Sequence, residues 1–567
     1  MIDKVKLRQL AMQAGKLIRG NPELYKMAKR GYDRLTGGPF IQLKNIIKST
    51  PPELLEYPDK AASKGDILFF SPRWWVIHLG WEVMIAHILR NQGYRPHFII
   101  CDHAVDVCDT YNFSDEIGWI CPQCKRDIRD FLKISGIEFS TFSDWIDVNA
   151  SLRNAEKLVS TGKTISELKN LTMDGFPLGE WSRLSVIRHL KRVNIPEHDD
   201  FCRDRYSAFL KTACLTLDLA KSIFEKEWAG VFLCNGKFFQ ERIIHGYGRE
   251  KGVDVFVYER GLKEDHILLA RNEFVIDFDV SAIYERRSPL SPEEEKETNS
   301  YMNDRIYGKN FAIDYWPEVL EEKKEVIEQL WLDENKPMMV AFPNITWDTA
   351  VLDREIVFES MWDWLDQTIR YFLEKGDTQL IVRIHPAEVR LPFKFHERVG
   401  DLIRKTFPDL PGHIRIVESD SPISSYTLLA MAKKVLVYTS SLGLESAFAG
   451  REVIVTAKTH YRGKGFTRDP ETPEEYFRFL EDDVGINEEE VMSRASRYSR
   501  SLYFDAHIPI QCVKEEDYGN FHYTIGSLEE LFKGDFGEMA FFSRFPFPGE
   551  KGMIPRHFPG NPKSSEG

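Results

Sequence analysis

Cysteine is scarce in this chain, with eight residues in 567, too few for a disulfide scaffold at this length. Long apolar runs are also lacking. The most apolar window, Ile67 to Leu89, is interrupted by Pro72, Arg73, His78 and Glu82. It therefore reads as strand, loop and helix rather than a membrane span. Lys and Arg break the first apolar residues every few positions, which argues against a secretory signal. Positive charge is in deficit too. A formal net charge of −13 excludes general nucleic-acid binding, which needs a basic footprint. Any anionic substrate must then be held by a local positive site. The expected location is the cytoplasm.

What is present is material for large cores: 43% hydrophobic and 13% aromatic residues. The length implies more than one domain. The start of the chain departs from the acidic average, with 11 Lys/Arg against three Asp/Glu between Met1 and Lys48. Two readings stay open there: a basic amphipathic helix on an anionic inner membrane face, giving peripheral contact, or a helix packed on the body. Four cysteines cluster as Cys101, Cys108, Cys121 and Cys124. The closing C-x2-C pair is the usual half of a structural zinc site, and His103 could replace one of the first pair. Buried thiols at a strand end are the other reading. Four thiolates would leave a zinc no open position, so catalytic zinc is not expected.

Strand and helix patterns alternate in two series. The first has strands at Asp66–Phe70, Phe98–Cys101, Gly230–Cys234 and Val253–Tyr258, with a helical insert at about 149–225. The second has strands at Met338–Phe342, Gln379–Ile384, Ile414–Val417, Val435–Tyr438 and Val453–Val455. This predicts an α/β protein of two Rossmann-like doubly wound domains facing a cleft. The expected divisions are a basic extension (1–60), a first domain (61–310), a second domain (311–500), a return segment (501–541) and a loose tail (542–567).

In the second series the strand ends are polar, where ligands of such folds bind. Thr439, Ser440 and Ser441 stand between a strand and a short helix, a place that favours a bound phosphate. Gly443 lies within that helix. Arg383 and His385 end another strand and offer cationic donors. Glu445 is one position beyond the usual capping-box spacing from Ser441, so its carboxylate is free in this reading to accept ribose hydroxyls. His460 opens a loop with two glycines among basic side chains. In the first domain Glu259 ends a strand and is the candidate general base. Gly246 to Gly252 imitates a dinucleotide fingerprint, but its spacing is wrong. His78, Trp81 and Glu82 read either as core or as a surface for stacking on a sugar acceptor.

Three segments occur in order: Arg383 to Glu388, Tyr438 to Val455 and His460 to Thr467. Together they resemble the bacterial capsule polysaccharide biosynthesis family, which includes Kdo transferases and is similar in fold to CDP-glycerol polyol-phosphate transferases. The resemblance implies a GT-B-like glycosyltransferase that needs no cofactor for chemistry. It implies a nucleotide-sugar donor held by His385 and the Ser440–Ser441 pair, with Glu445 by the nucleotide. The acceptor would be a surface polysaccharide or glycolipid precursor. Cys234 to Gly261 resembles a first-domain segment of the same proteins, where Glu259-Arg260-Gly261 stands in place of Glu-Asp-Gly. The missing aspartate weighs against a Kdo donor. A CDP-polyol phosphotransferase and a non-catalytic nucleotide-binding partner of an assembly complex are the alternatives.

Overall fold

The computed structural model describes residues 64–105, 107–109, 121–191, 195–306, 322–348, 351–390, 398–482, 485–517, 520–534, 536–549 and 551–557. The basic extension 1–60 lies outside them. Six strands open the chain: β1 (Asp66–Phe70), β2 (Arg95–Ile100), β3 (Glu138–Thr141), β4 (Gly230–Cys234), β5 (Val255–Arg260) and β6 (His266–Arg271). They lie side by side in the order 3-2-1-4-5-6, parallel except for β6. Every residue of β1 is buried. Ile67 and Phe69 enter one core and Leu68 and Phe70 the other, as a strand covered on both faces requires. The short edge strand β3 was not expected. Its Glu-Phe-Ser-Thr sequence is only half buried and carries little apolar signal.

The second sheet contains β7 (Met338–Phe342), β8 (Gln379–Arg383), β9 (Ile414–Val417), β10 (Lys434–Val437) and β11 (Glu452–Val455). Its order is 11-10-7-8-9, all parallel. Both sheets therefore reverse direction beside their first strand, at β1/β4 and at β7/β10. Crevices outside the strand ends at such points are where α/β folds bind ligands. The two doubly wound units are those expected from the sequence. The insert is helical, with helices at Val148–Val159, Ile165–Lys169, Leu178–Leu190 and Asp200–Ile223.

The chain then returns to the first sheet. β12 (Ile508–Pro509) pairs antiparallel with β6, after which β13 (Val513–Asp517) and β14 (Asn520–Tyr523) form a hairpin. The loose tail is a correction, because 542–549 and 551–557 are packed. β15 (Gly552–Met553) also pairs with β6, and Phe542, Phe545, Phe547 and Ile554 are buried. The reason is an aromatic row across the sheet: Phe98, Phe69, Phe232 and Phe256 stack in succession at 4.7–5.2 Å. Phe545 closes it, 5.1 Å from Phe256. Composition rich in Pro and Gly concealed that burial. Among the described residues no helix is long and apolar enough to cross a membrane.

Candidate active-site cleft

In the second domain β7 lies between β8 and β10, so the turns after β8 and β10 stand two strand spacings apart, about 10 Å. Asn344, after β7, joins them to the middle. Its Oδ1 accepts the Thr439 N–H at 3.2 Å and the Thr439 hydroxyl at 3.0 Å. Ser440 Oγ accepts the Leu442 N–H at 3.3 Å, so Ser440, not Ser441, satisfies the helix Leu442–Phe448. Ser441 is exposed, and its hydroxyl has no partner among the described residues. Gly443 acts through packing. A Cβ there would meet Tyr461 Oη at 2.2 Å, and that hydroxyl donates to the Ser440 carbonyl at 2.5 Å. The glycine thus lets Tyr461 brace the serine turn from beneath.

His385 is half buried, and its Nδ1 accepts the Ala387 N–H at 3.1 Å. Burial lowers its pKa to about 4, against the attraction of Asp348. The ring is therefore neutral at physiological pH with its proton on Nε2, an uncharged donor. His460 is locked differently. Tyr498 Oη donates to the His460 carbonyl at 2.6 Å and stands 3.0 Å from Nδ1. Tyr461 and Phe278 pack edge-on against the same ring.

Two expected ligand-binding groups have other partners. Arg383 is 1% exposed. Its guanidinium donates to the carbonyls of Ile384, Glu418 and Ser421, which fixes the loop after β9. Burial lowers its pKa to about 10. Glu445, expected to be free, is also 1% exposed. Its Oε1 accepts from Arg305 Nη2 at 3.0 Å and Nε at 3.2 Å, and its Oε2 from Tyr426 Oη at 2.8 Å. Arg305 ends the helix Pro292–Ile306 and also donates to the Leu262 carbonyl of the first domain. The extra residue between Ser441 and Glu445 aims the carboxylate at the linker helix, away from the serine turn.

In the first domain Asn235 follows β4 in the left-handed region, φ 65°, which asparagine tolerates better than most residues. From there its Nδ2 donates to Glu259 Oε2 at 2.7 Å, while Oε1 accepts the Arg260 N–H at 2.8 Å. Burial raises the Glu259 pKa despite these bonds. A carboxylate has about four lone-pair sites, so capacity remains for an acceptor hydroxyl. His78 Nε2 lies 3.8 Å from Glu259, and its Nδ1 lies 3.3 Å from Cys234 Sγ. The return segment braces this turn. Arg260 donates to Glu515 at 2.6 Å, and His507 Nε2 accepts the Leu262 N–H at 2.8 Å. Trp81 and Glu82 are core.

The first-domain wall continues through residues that sequence reasoning missed. Arg73 pairs with Glu241 beneath Trp75. Arg188, on the insert helix Leu178–Leu190, sits over the Phe238 ring at 4.4 Å. The charges of Asp109, Asp348 and Glu259 all act on it. No motif marks it, because its neighbours are assembled from five distant segments.

The four cysteines lie near enough for their charges to act on one another. Burial and the charge of Cys108 push the Cys101 thiol up to about 12, and Cys124 is raised by burial and by the other three. Backbone N–H groups of His103 and Ala104 point at Cys101, and that of Trp74 at Cys124, 3.1 Å away. Among the described residues, however, the group whose ligand atoms all lie within 4.8 Å is His78, Cys234 and Glu259, so the four sulfurs would have to close up around a metal.

Buried histidines make the fold acid-sensitive. Burial holds His78, His87, His460 and His507 at about 3, and His97, His245, His266 and His385 at about 4. Between those values and the unfolded value of about 6.5, the unfolded chain binds more protons, so stability falls as pH falls. Glu82 and Glu388, raised to about 7 by burial, work oppositely between about 4.5 and 7. The eight imidazoles outweigh the two carboxyls. Thermal scans are expected to show a melting temperature about 10 °C or more lower at pH 5 than at pH 7.5. A flat profile would refute this balance.

Residues 300–480 match the family model described as capsule polysaccharide biosynthesis protein. The resemblance carried by the three motifs stands. The matched segment covers the linker helix end, β7 to β11 and the turns that follow them. No curated protein matches. Among solved structures the chain is similar to the Thermosulfurimonas dismutans KpsC beta Kdo 2,4 transferase, at 14% identity and TM-score 0.32, covering 47% of this chain and 79% of that one. It is similar to a Rickettsia africae glycosyltransferase at 12% identity and TM-score 0.25, covering 77% and 93%. For Anabaena HepE in complex with UDP the values are 11%, 0.25, 77% and 95%.

Proposed function

We propose that this chain is a glycosyltransferase of surface-polysaccharide assembly. It would move a sugar from a nucleotide-sugar donor to a polysaccharide or glycolipid precursor at the inner face of the membrane. One observation supports the reading: strand-end groups of the two domains lie near enough for their charges to meet at one arginine. Glu259 of the first domain and Asp348 of the second both act on Arg188, and Asp348 acts on His385 as well. In this proposal the second domain holds the nucleotide. His385 Nε2–H and the Ser441 hydroxyl donate to the departing phosphate as its charge grows, which lowers the barrier most where donors are already positioned. Glu259 takes the proton of the acceptor hydroxyl, and its raised pKa makes it the stronger base. Arg383 and Glu445 act at one remove, by holding the loop and the linker helix in place. The charge is met by hydrogen-bond donors, and no metal is invoked.

The test is thermal stabilisation by CMP, CDP, UDP, GDP and their sugar conjugates. At about 100 times Kd one of them should add about 2.7 kcal/mol of stability, a shift of a few degrees. If none moves the transition, the donor-binding reading fails, and a response to CDP-glycerol alone would move the assignment to polyol-phosphate transfer.

A structural zinc at the four cysteines is a second part of this proposal, supported by the Cys121-x2-Cys124 spacing and by the N–H groups aimed at two of the sulfurs. Metal analysis of the purified protein should find about one zinc per chain, lost in Cys121→Ser. Metal-free protein of unchanged stability would dismiss it.

A further inference from the structure

The helix Leu178–Leu190 belongs to the first domain's insert, yet one of its faces packs on the second. Leu184 and Ile187 join Ile345, Trp347, Leu352 and Ala387 in one buried cluster. Lys191 lies 4.5 Å over the Trp347 ring, and Arg183 pairs with Asp353. Arg188 follows Ile187 directly, and the charge of Asp348, in the loop after β7, acts on it.

Its guanidinium is unlike the other arginines of the cleft. Arg73 pairs with Glu241, and Arg383 is bound to three carbonyls. The Arg188 guanidinium makes no hydrogen bond or ion pair among the described residues, and its Nη1 is screened from solvent without a partner. A guanidinium nitrogen buried in that way is costly unless something accepts its hydrogen bonds. Burial lowers its pKa against the opposing charges of Asp109, Asp348 and Glu259, none of which stands within ion-pair distance, and a guanidinium stays charged all the same. The Phe238 ring supports one face, 4.4 Å away. A planar fork set over an aromatic ring, with a buried nitrogen that no protein group accepts from, is suited to a two-pronged oxyanion.

We propose that Arg188 binds an oxyanion of the substrate, either a phosphate oxygen of the donor or a carboxylate on the transferred sugar. This rests on the transferase reading and names the group that reads the donor's charge. The insert helix then supplies a donor contact from the first domain, and a bound donor joins both domains through it.

The experiment uses the full chain with Arg188→Gln and Arg188→Lys. Because the Arg188 guanidinium has no hydrogen-bond or ion-pair partner in the protein, the unliganded Gln variant should melt within about 2 °C of the wild type or above it. A clear loss of stability would mark Arg188 as structural and overturn the proposal. Affinities are then measured calorimetrically for CMP, CDP, UDP and GDP. For the base that binds, a neutral sugar nucleotide is compared with its carboxylate counterpart, such as UDP-glucose with UDP-glucuronate. If phosphate is the ligand, the free nucleotide binds about 10- to 100-fold more weakly to Arg188→Gln, with partial recovery in Arg188→Lys. If carboxylate is the ligand, free-nucleotide affinity is unchanged and only the acidic conjugate loses that factor. Changes under threefold for every probe overturn the role of Arg188 while leaving the transferase reading intact. A wild type that binds none of the probes removes both.

Discussion

Replacing Glu445 with alanine is expected to cost about 3–5 kcal/mol, enough to unfold much of the protein at 37 °C. The side chains of Arg305 and Glu445 are 5% and 2% exposed, so truncating Glu445 leaves the Arg305 charge without its carboxylate in a dry site. Burial would lower the Arg305 pKa, but the surrounding Tyr503, Glu445 and Tyr301 raise it above its ordinary value, so it stays charged. Tyr426 would also lose its acceptor. The paired change Arg305→Met with Glu445→Leu should recover most of the loss, since an apolar replacement removes both desolvation penalties together. Chemical denaturation of the two variants decides the matter. An alanine variant as stable as the wild type, but deficient in nucleotide binding, would return Glu445 to the ligand.

The second large effect is on turnover. Glu259→Gln keeps the shape and can still accept from the Arg260 N–H, but it cannot take a proton. Transfer should fall about 10²- to 10⁴-fold while nucleotide affinity is preserved. His385→Ala removes a phosphate donor instead, so both affinity and transfer should drop, the latter about 10²- to 10³-fold. Initial rates with the nucleotide sugar identified by thermal stabilisation provide the measurement. If both variants retain the rate, neither group is catalytic. If the wild type binds nucleotide but transfers nothing, the chain is a non-catalytic member of an assembly complex.

Much of the scaffold was visible in residue pattern. β4 and β7 to β11 have the expected bounds to within a residue, because parallel strands buried on both faces read as short apolar runs between breakers. The acidic first turn of the helix Pro292–Ile306, Glu293 to Glu295, was equally plain in the sequence. The edge strand β3 and the packed end of the chain were not. β3 is half buried and carries little periodic signal, and the final phenylalanines are scattered among residues that usually mark loops.

The chemistry divided along a different line. Local order along the chain determined that hydroxyls, an imidazole and a carboxylate would end strands, since each follows its apolar run within a few positions. Which of them face solvent was decided only by long-range packing. Glu445 meets Arg305 across 140 residues, and Arg383 spends its donors on a loop about 35 residues away. Arg188 comes near Asp348 because an insert helix docks on the other domain. Electrostatic partners are chosen by distance in space, and spacing in sequence constrains that distance only within one helix or strand.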